Sequence, residues 1–110
     1  MGDGLGEFEQ LVLLALVRLG DEAYGVTVHE QLERRAGRDV ALGAVYKTLA
    51  RLEAKKLVAA RLGEPTAERG GRRKRYYNVT AQGRRALARS LAAIHRMTAG
   101  LGLLARNGHP

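Results

Sequence analysis

A mainly α-helical protein with one small β-hairpin is the fold this sequence predicts, on three observations. Apolar residues recur at helical spacing through three consecutive segments up to about Lys55. The period then switches from 3.6 toward 2 after Lys56 and again around Tyr77, on either side of a glycine- and arginine-rich stretch. From Thr80 onward the helical spacing returns. The 110 residues, 45% hydrophobic and 27% charged, suffice for one small core and argue against a two-domain enzyme.

The first helix is expected over residues 7 to 19, EFEQLVLLALVRL, a run of strong helix formers. Its apolar positions Phe8, Leu11, Val12, Leu14, Ala15, Leu16 and Leu19 cover more than one stripe, so it needs burial on two sides. In a chain this small a second subunit is expected to supply part of that cover. Gly20 stops the helix as a C′ glycine does. A second helix is expected from about Gly25 to Ala36, with Tyr24, Val28, Leu32 and Ala36 at four-residue steps and Gly37 as its stop. The third runs from near Leu42 to about Lys55, with Val45, Leu49 and Leu52 inward and Ala44, Lys47, Thr48, Arg51 and Lys55 on the opposite face.

Two strands follow. Val58, Ala60 and Leu62 alternate with Ala59 and Arg61, and Tyr77 and Val79 alternate with Tyr76 and Asn78. The intervening LGEPTAERGGRRK contains Gly63, Pro65, Gly70 and Gly71, which interrupt regular structure, so the pair is expected to be a hairpin with a long basic tip. Thr80 fits an N-cap, and Leu87, Leu91, Ile94, Thr98 and Leu101 step by four, three, four and three, close to a heptad seam that requires a partner helix. The expected division is one domain over residues 1 to 79, a dimerisation helix over 80 to 106 and a flexible tail over 107 to 110.

Charge narrows the function. Nineteen Lys and Arg against eleven Asp and Glu give a net +8 and a pI near 10.6, which favours a polyanionic partner. The excess is polarised. Residues 1 to 41 hold four basic and eight acidic side chains, net −4, whereas residues 42 to 110 hold 15 and three, net +12. With no cysteine there is no disulfide framework, thiolate metal site or Cys nucleophile. The longest apolar run, Leu11 to Val17, falls far short of the roughly 20 residues that span a bilayer, and no basic leader precedes it. A cytoplasmic protein without membrane partners is expected.

No catalytic constellation emerges. His29, His95 and His109 lie far apart in the sequence, so no metal site is expected. Ser90 falls within the last helix, away from any turn that would make it a nucleophile elbow. Gly2, Gly4 and Gly6 have no strand before them and do not form a phosphate loop. No cofactor is expected.

The informative constellation is helix, helix, basic helix and basic hairpin, the order of a winged helix-turn-helix, followed by a C-terminal dimerisation helix. The major groove of B-DNA, roughly 12 Å wide, admits one helix. A helix presenting Lys47, Thr48 and Arg51, with the short Ala44 on the same face, reaches base edges while a wing carrying Arg69, Arg72, Arg73, Lys74 and Arg75 reaches flanking phosphates. Ala44 and Thr48 give close approach, and Arg51 suits either guanine or phosphate.

LGAVYKTLARLEAKKLV and GGRRKRYYNVTAQGRRAL, together with LVLLALVRLGDEAYGVTVHEQL, resemble the PadR-like winged helix-turn-helix transcriptional regulators over most of the chain. The resemblance implies a cytoplasmic homodimer, usually a repressor, whose recognition helices enter successive major grooves and whose wings follow the backbone. It places Tyr46, Lys47 and Arg51 on the recognition helix and Arg72, Arg73 and Lys74 on the wing. For Tyr46 two roles stand open, a hydroxyl contact to phosphate or a ring that closes the helix onto the wing. Two departures stand out. Ala41 occupies the position where the family commonly has a capping Ser or Thr, at a cost of about 1 kcal/mol that Asp39 would partly offset. The C-terminal region offers a single helix, so the larger effector-binding extension of some relatives is not expected. The effector is unknown; a dimer-interface pocket implied by the resemblance would be lined by Phe8, Leu11 and Ile94, residues that core packing explains better.

Dimer contacts are expected at Phe8, Leu11, Leu87, Leu91, Ile94 and Leu101, with recognition helices about 34 Å apart on a pseudo-palindromic site in double-stranded DNA. The alternative is a small basic RNA-binding or ribosome-associated protein. Four Tyr and one Phe give it few stacking platforms.

Overall fold

The computed structural model describes residues 4 to 65 and 73 to 103. Helices α1 (Glu7–Leu19), α2 (Gly25–Ala36) and α3 (Leu42–Ala54) form where the apolar spacing places them. Strands β1 (Val58–Pro65) and β2 (Arg73–Val79) pair antiparallel, with Val58 opposite Val79 and Ala60 opposite Tyr77, and helix α4 (Ala81–Thr98) closes the order. The strands extend further than the alternating pattern suggests, to Pro65 and from Arg73. Ala23 and Tyr24 add a short third rung beside β2, since the Tyr77 amide donates to the Ala23 carbonyl at 2.9 Å and Tyr24 bridges Tyr76.

Local chemistry sets the boundaries. Glu9, in the first turn of α1, reaches back so that its Oε1 accepts from the Gly6 amide at 3.0 Å, a donor that a helix start leaves orphaned. Thr27 does the same for α2, accepting from the Tyr24 amide at 3.0 Å while its hydroxyl donates to the Glu22 carbonyl at 2.6 Å. Ala41 offers α3 no side-chain cap, and Asp39 stands exposed without replacing it. At the other end of α3, Lys56 holds the left-handed position, φ 65°, where glycine is usual. The Leu57 amide donates back to the Leu52 carbonyl at 3.0 Å, and burial of both leucines holds that closure against the strain.

The core gathers Val12, Leu13 and Leu16 of α1, Val28 and Leu32 of α2, Val45, Leu49 and Leu52 of α3, Leu57 and Val58, Tyr77 of β2 and Leu87 of α4. Burying such side chains stabilises by about 1.5–3 kcal/mol each. Much of the cover expected for α1 from a second subunit therefore comes from its own chain, while Phe8, Leu11 and Leu14 stay half-buried.

Helix α4 departs from its prediction in two ways. It stops at Thr98 rather than 106, because Gly100 and Gly102 take φ of 80° and 66°, values open to glycine but not to a continuing helix. Leu101 thus stands beyond the helix, and residues 104 to 110, including the expected flexible tail, lie outside the described residues. Leu87 is only 6% exposed, so it belongs to the core and not to an exposed seam. The cause is how α4 starts. Thr80 accepts from the Gly83 amide at 3.0 Å and donates to the Lys56 carbonyl at 2.9 Å, which draws the first turns against α1 and β2.

Candidate nucleic-acid interface

The surface in question is built from α3 and the hairpin. At about 100° per residue, the buried Val45, Thr48, Leu49 and Leu52 define one face of α3, and Gly43, Lys47, Ala50 and Ala54 occupy the opposite one, all exposed. Its small residues let a partner approach the helix backbone closely. Ala44 and Arg51 flank this strip toward α1, and Tyr46 and Glu53 flank it toward the hairpin. Thr48 corrects the sequence reading. It is 3% exposed, because it lies three residues after Val45 and four before Leu52 and so falls in the inward stripe. Close approach comes instead from Gly43, Ala50 and Ala54, which the sequence reading passed over.

Tyr46 is 45% exposed and its ring lies directly over Gly25, where a β-carbon would collide with it. Its ring therefore closes α3 against the start of α2 and leaves part of the side chain in solvent. The Tyr24–Gly25 pair carried the signal for this contact, a residue without a side chain at a helix start.

The structure divides the predicted basic wing. Arg69 and Arg72 lie outside the described residues. Arg73 is exposed and forms no ion pair among the described residues. Lys74 sits 4.5 Å from the centre of the Tyr24 ring, with its ammonium 3.3 Å from the Tyr24 hydroxyl. Arg75 turns back onto α3, donating to both carboxylate oxygens of Glu53 at 3.0 and 3.2 Å. That pair ties wing to helix and takes Arg75 away from the expected set of free wing cations. Arg61, absent from the predicted site, lies 4.7 Å from the Tyr76 ring centre. Tyr24 and Tyr76 pack edge to face at 5.4 Å, so two stacked cations stand at the base of the wing on an aromatic pair. Their signal was the two-residue period, which sets Arg61 on the face opposite Leu62 on one strand and puts Lys74 and Tyr76 on one face of the other, opposite Tyr77.

A second carboxylate acts on the other flank. Glu9 is 7% exposed and its Oε2 meets the Lys55 ammonium at 2.9 Å and the Arg51 guanidinium at 3.9 Å. Burial alone would raise its pKa. The Lys55 and Gly6 hydrogen bonds with the Lys55 and Arg51 charges outweigh that, and hold the carboxyl below its usual range. Burial pushes the Tyr77 phenol up, against the nearby Arg75.

Elsewhere, His29 Nε2 lies 2.7 Å from the Val40 carbonyl, an acceptor that requires the ring nitrogen to donate, and so fastens α2 to the segment before α3. Among the described residues no three His, Cys, Asp or Glu side chains cluster as metal ligands, and no helix is long and apolar enough to cross a membrane. On α4, Leu91 is 38% and Ile94 49% exposed and Met97 more so, as is Leu101 just past its end, an apolar surface that the single chain leaves open.

The model of the transcriptional regulator PadR-like family matches residues 13–89. No curated protein matches the sequence. Among solved structures, a PadR family transcription regulator from Clostridium difficile is 25% identical with a TM-score of 0.63, covering 86% of this chain and 100% of that one. One from Eggerthella lenta is 29% identical with a TM-score of 0.64, covering 87% and 83%. Bacillus subtilis PadR in complex with operator DNA shares the fold at 20% identity and a TM-score of 0.64, covering 76% of this chain and 47% of that one.

Proposed function

This chain belongs to the PadR-like family of transcriptional regulators, and we propose that it binds double-stranded DNA sequence-specifically, as a cytoplasmic homodimer that represses transcription from a pseudo-palindromic operator. The observation that carries this reading is the exposed strip Gly43, Lys47, Ala50 and Ala54 on α3, together with the cations Arg61, Arg73 and Lys74 carried by the hairpin that follows it. A strip so small in side-chain bulk suits insertion into a major groove, and cations beside it suit the phosphates along the groove edge. In this reading Ala44, Tyr46, Lys47 and Arg51 border the groove, with Arg69, Arg72, Arg73 and Lys74 following the backbone. Repression is carried over from the family; the Bacillus subtilis relative holds operator DNA in the same fold.

The dimer contacts of this reading are Phe8, Leu11, Leu91, Ile94 and Leu101. Helix α4 carries arginines but no acid, so its apolar face rather than ion pairing within the helix favours a second copy as its cover. Base stacking of single-stranded RNA has little to use here, since Tyr77 is buried and Tyr24 and Tyr76 already pack against each other and against cations.

The test is parallel binding of a random-sequence duplex and of a structured RNA in dilute buffer. The duplex is expected to bind more tightly and to lose affinity steeply as salt rises. Preference for the RNA, or no duplex binding, overturns the reading.

A further inference from the structure

Lys47 and Arg51 of α3 and Lys55 at its C-cap recur every four residues, and as a sequence they form one cationic stripe of three. The fold breaks that stripe. Glu9 reaches across from α1, buried to 7% exposure, and its Oε2 holds Lys55 at 2.9 Å and faces Arg51 at 3.9 Å, while its Oε1 accepts from the Gly6 amide at 3.0 Å. We infer that Glu9 sets specificity at the proposed DNA interface by occupying Arg51 and Lys55, which withholds two cations per protomer from phosphate and leaves Lys47 as the outward charge of α3. The inference rests on the DNA-binding reading above.

The physics is that of counterion release. Affinity for any duplex, whatever its sequence, grows with the number of phosphates that cations neutralise, whereas base contacts add only at the right site. Removing cations from the phosphate set therefore lowers non-specific binding more than specific binding, and the ratio between them rises. The side chains of Arg51 and Lys55 are 53% and 43% exposed, close enough to solvent that release from Glu9 would return both to the DNA-facing surface. A nearly enclosed carboxylate, by contrast, cannot forgo its cations without an uncompensated charge. Glu53 treats Arg75 in the same way on the other flank of α3, at 3.0 Å, so acids pair with two of the cations that sequence alone assigns to the interface, Arg51 and Arg75, and with Lys55 beside them.

The test measures affinity for a random-sequence duplex against salt for the full chain, for Glu9→Gln, for Lys55→Gln and for Lys47→Gln, with folding checked by circular dichroism. Glu9→Gln is expected to steepen the plot of log affinity against log salt by about 2 to 4, since up to two cations per protomer each add about 0.9. Lys55→Gln leaves the slope as it is, and Lys47→Gln lowers it by about 1 to 2 for the same reason. Should Glu9→Gln fail to fold, the comparison of Lys55→Gln with Lys47→Gln still decides. A folded Glu9→Gln with an unchanged slope, or a Lys55→Gln loss equal to that of Lys47→Gln, overturns the inference. Elution from heparin repeats the comparison on a polyanion without bases. Absence of duplex binding by the unmodified chain defeats the DNA reading, whereas Glu9→Gln and the unmodified chain leaving heparin at the same salt defeats this one.

Discussion

Leu87 and Leu91 lie one turn apart on α4, yet the structure gives them different roles, and two substitutions separate them. Leu87 is 6% exposed and packs in the core with Ala86, so Leu87→Ala removes buried apolar volume and opens a cavity there. Such changes cost about 2–5 kcal/mol. A domain of this size shifts its melting temperature by about 4–8 °C per kcal/mol, so the expected fall is at least about 8 °C. Because the lost contacts lie within one chain, that fall is expected to be the same at low and high protein concentration. Leu91 is 38% exposed, so Leu91→Glu leaves the single chain folded. In the proposed homodimer it buries an unpaired carboxylate from each copy, at about 3–5 kcal/mol, which raises the dissociation constant roughly 100-fold or more. Thermal melts at two widely separated concentrations, with sedimentation equilibrium for the oligomeric state, read both effects. A Leu87→Ala chain that melts like the parent but dissociates more readily would refute the core assignment, and a Leu91→Glu dimer of undiminished affinity would refute the seam.

Three further outcomes are expected. Gly83→Ala destabilises, since a β-carbon there collides with the Leu57 carbonyl and lies 2.8 Å from Val79 Cγ1; overpacking of about 1–3 kcal/mol exceeds the helix-propensity gain of at most about 1, and a higher urea midpoint would contradict it. Thr48→Val leaves both duplex affinity and base preference unchanged, as selection of bound oligonucleotides would report; a shifted preference would return Thr48 to the interface. The Glu9 carboxyl, held below its usual range, stabilises the fold above a pH of about 4.3 and loses that contribution as pH falls through its depressed pKa, because the unfolded chain then binds the extra proton. The stability gap between the parent and Glu9→Gln therefore narrows from pH 5 to pH 3 in urea unfolding, and a gap that stays constant counts against the Lys55 and Arg51 pairing.

What the sequence made legible was local. The three first helices, the switch to a two-residue period and the Thr80 cap each depend on neighbours within a few positions, and those elements form as the spacing predicts. Thr48 was misplaced because an inward stripe on a helix is wider than one residue, and a threonine of middling polarity does not announce which edge of the stripe it takes. Leu87 and Leu91 share one heptad seam, and only the docking of α4 through Thr80 and Gly83 onto the Lys56–Leu57 turn decides where the chain's own core ends. The charge count erred for a related reason. Glu9 and Lys55 are 46 positions apart, Glu53 and Arg75 are 22 apart, and no periodicity relates such pairs. Net charge therefore points to a class of partner, but it does not say which cations an acid of the same chain already pairs.

In the proposed complex the strip opposite the core on α3 enters the major groove. The chain has no cysteine, so Ala50→Cys gives a single attachment point for a DNA-cleaving iron chelate at the middle of that strip, and Ala88→Cys gives one on the exposed side of α4. On bound duplex the label at residue 50 is expected to cut in two clusters about 34 Å apart, one per recognition helix of the dimer, and the label at residue 88 to cut little. Equal cleavage from both labels, or stronger cleavage from residue 88, would contradict the claim.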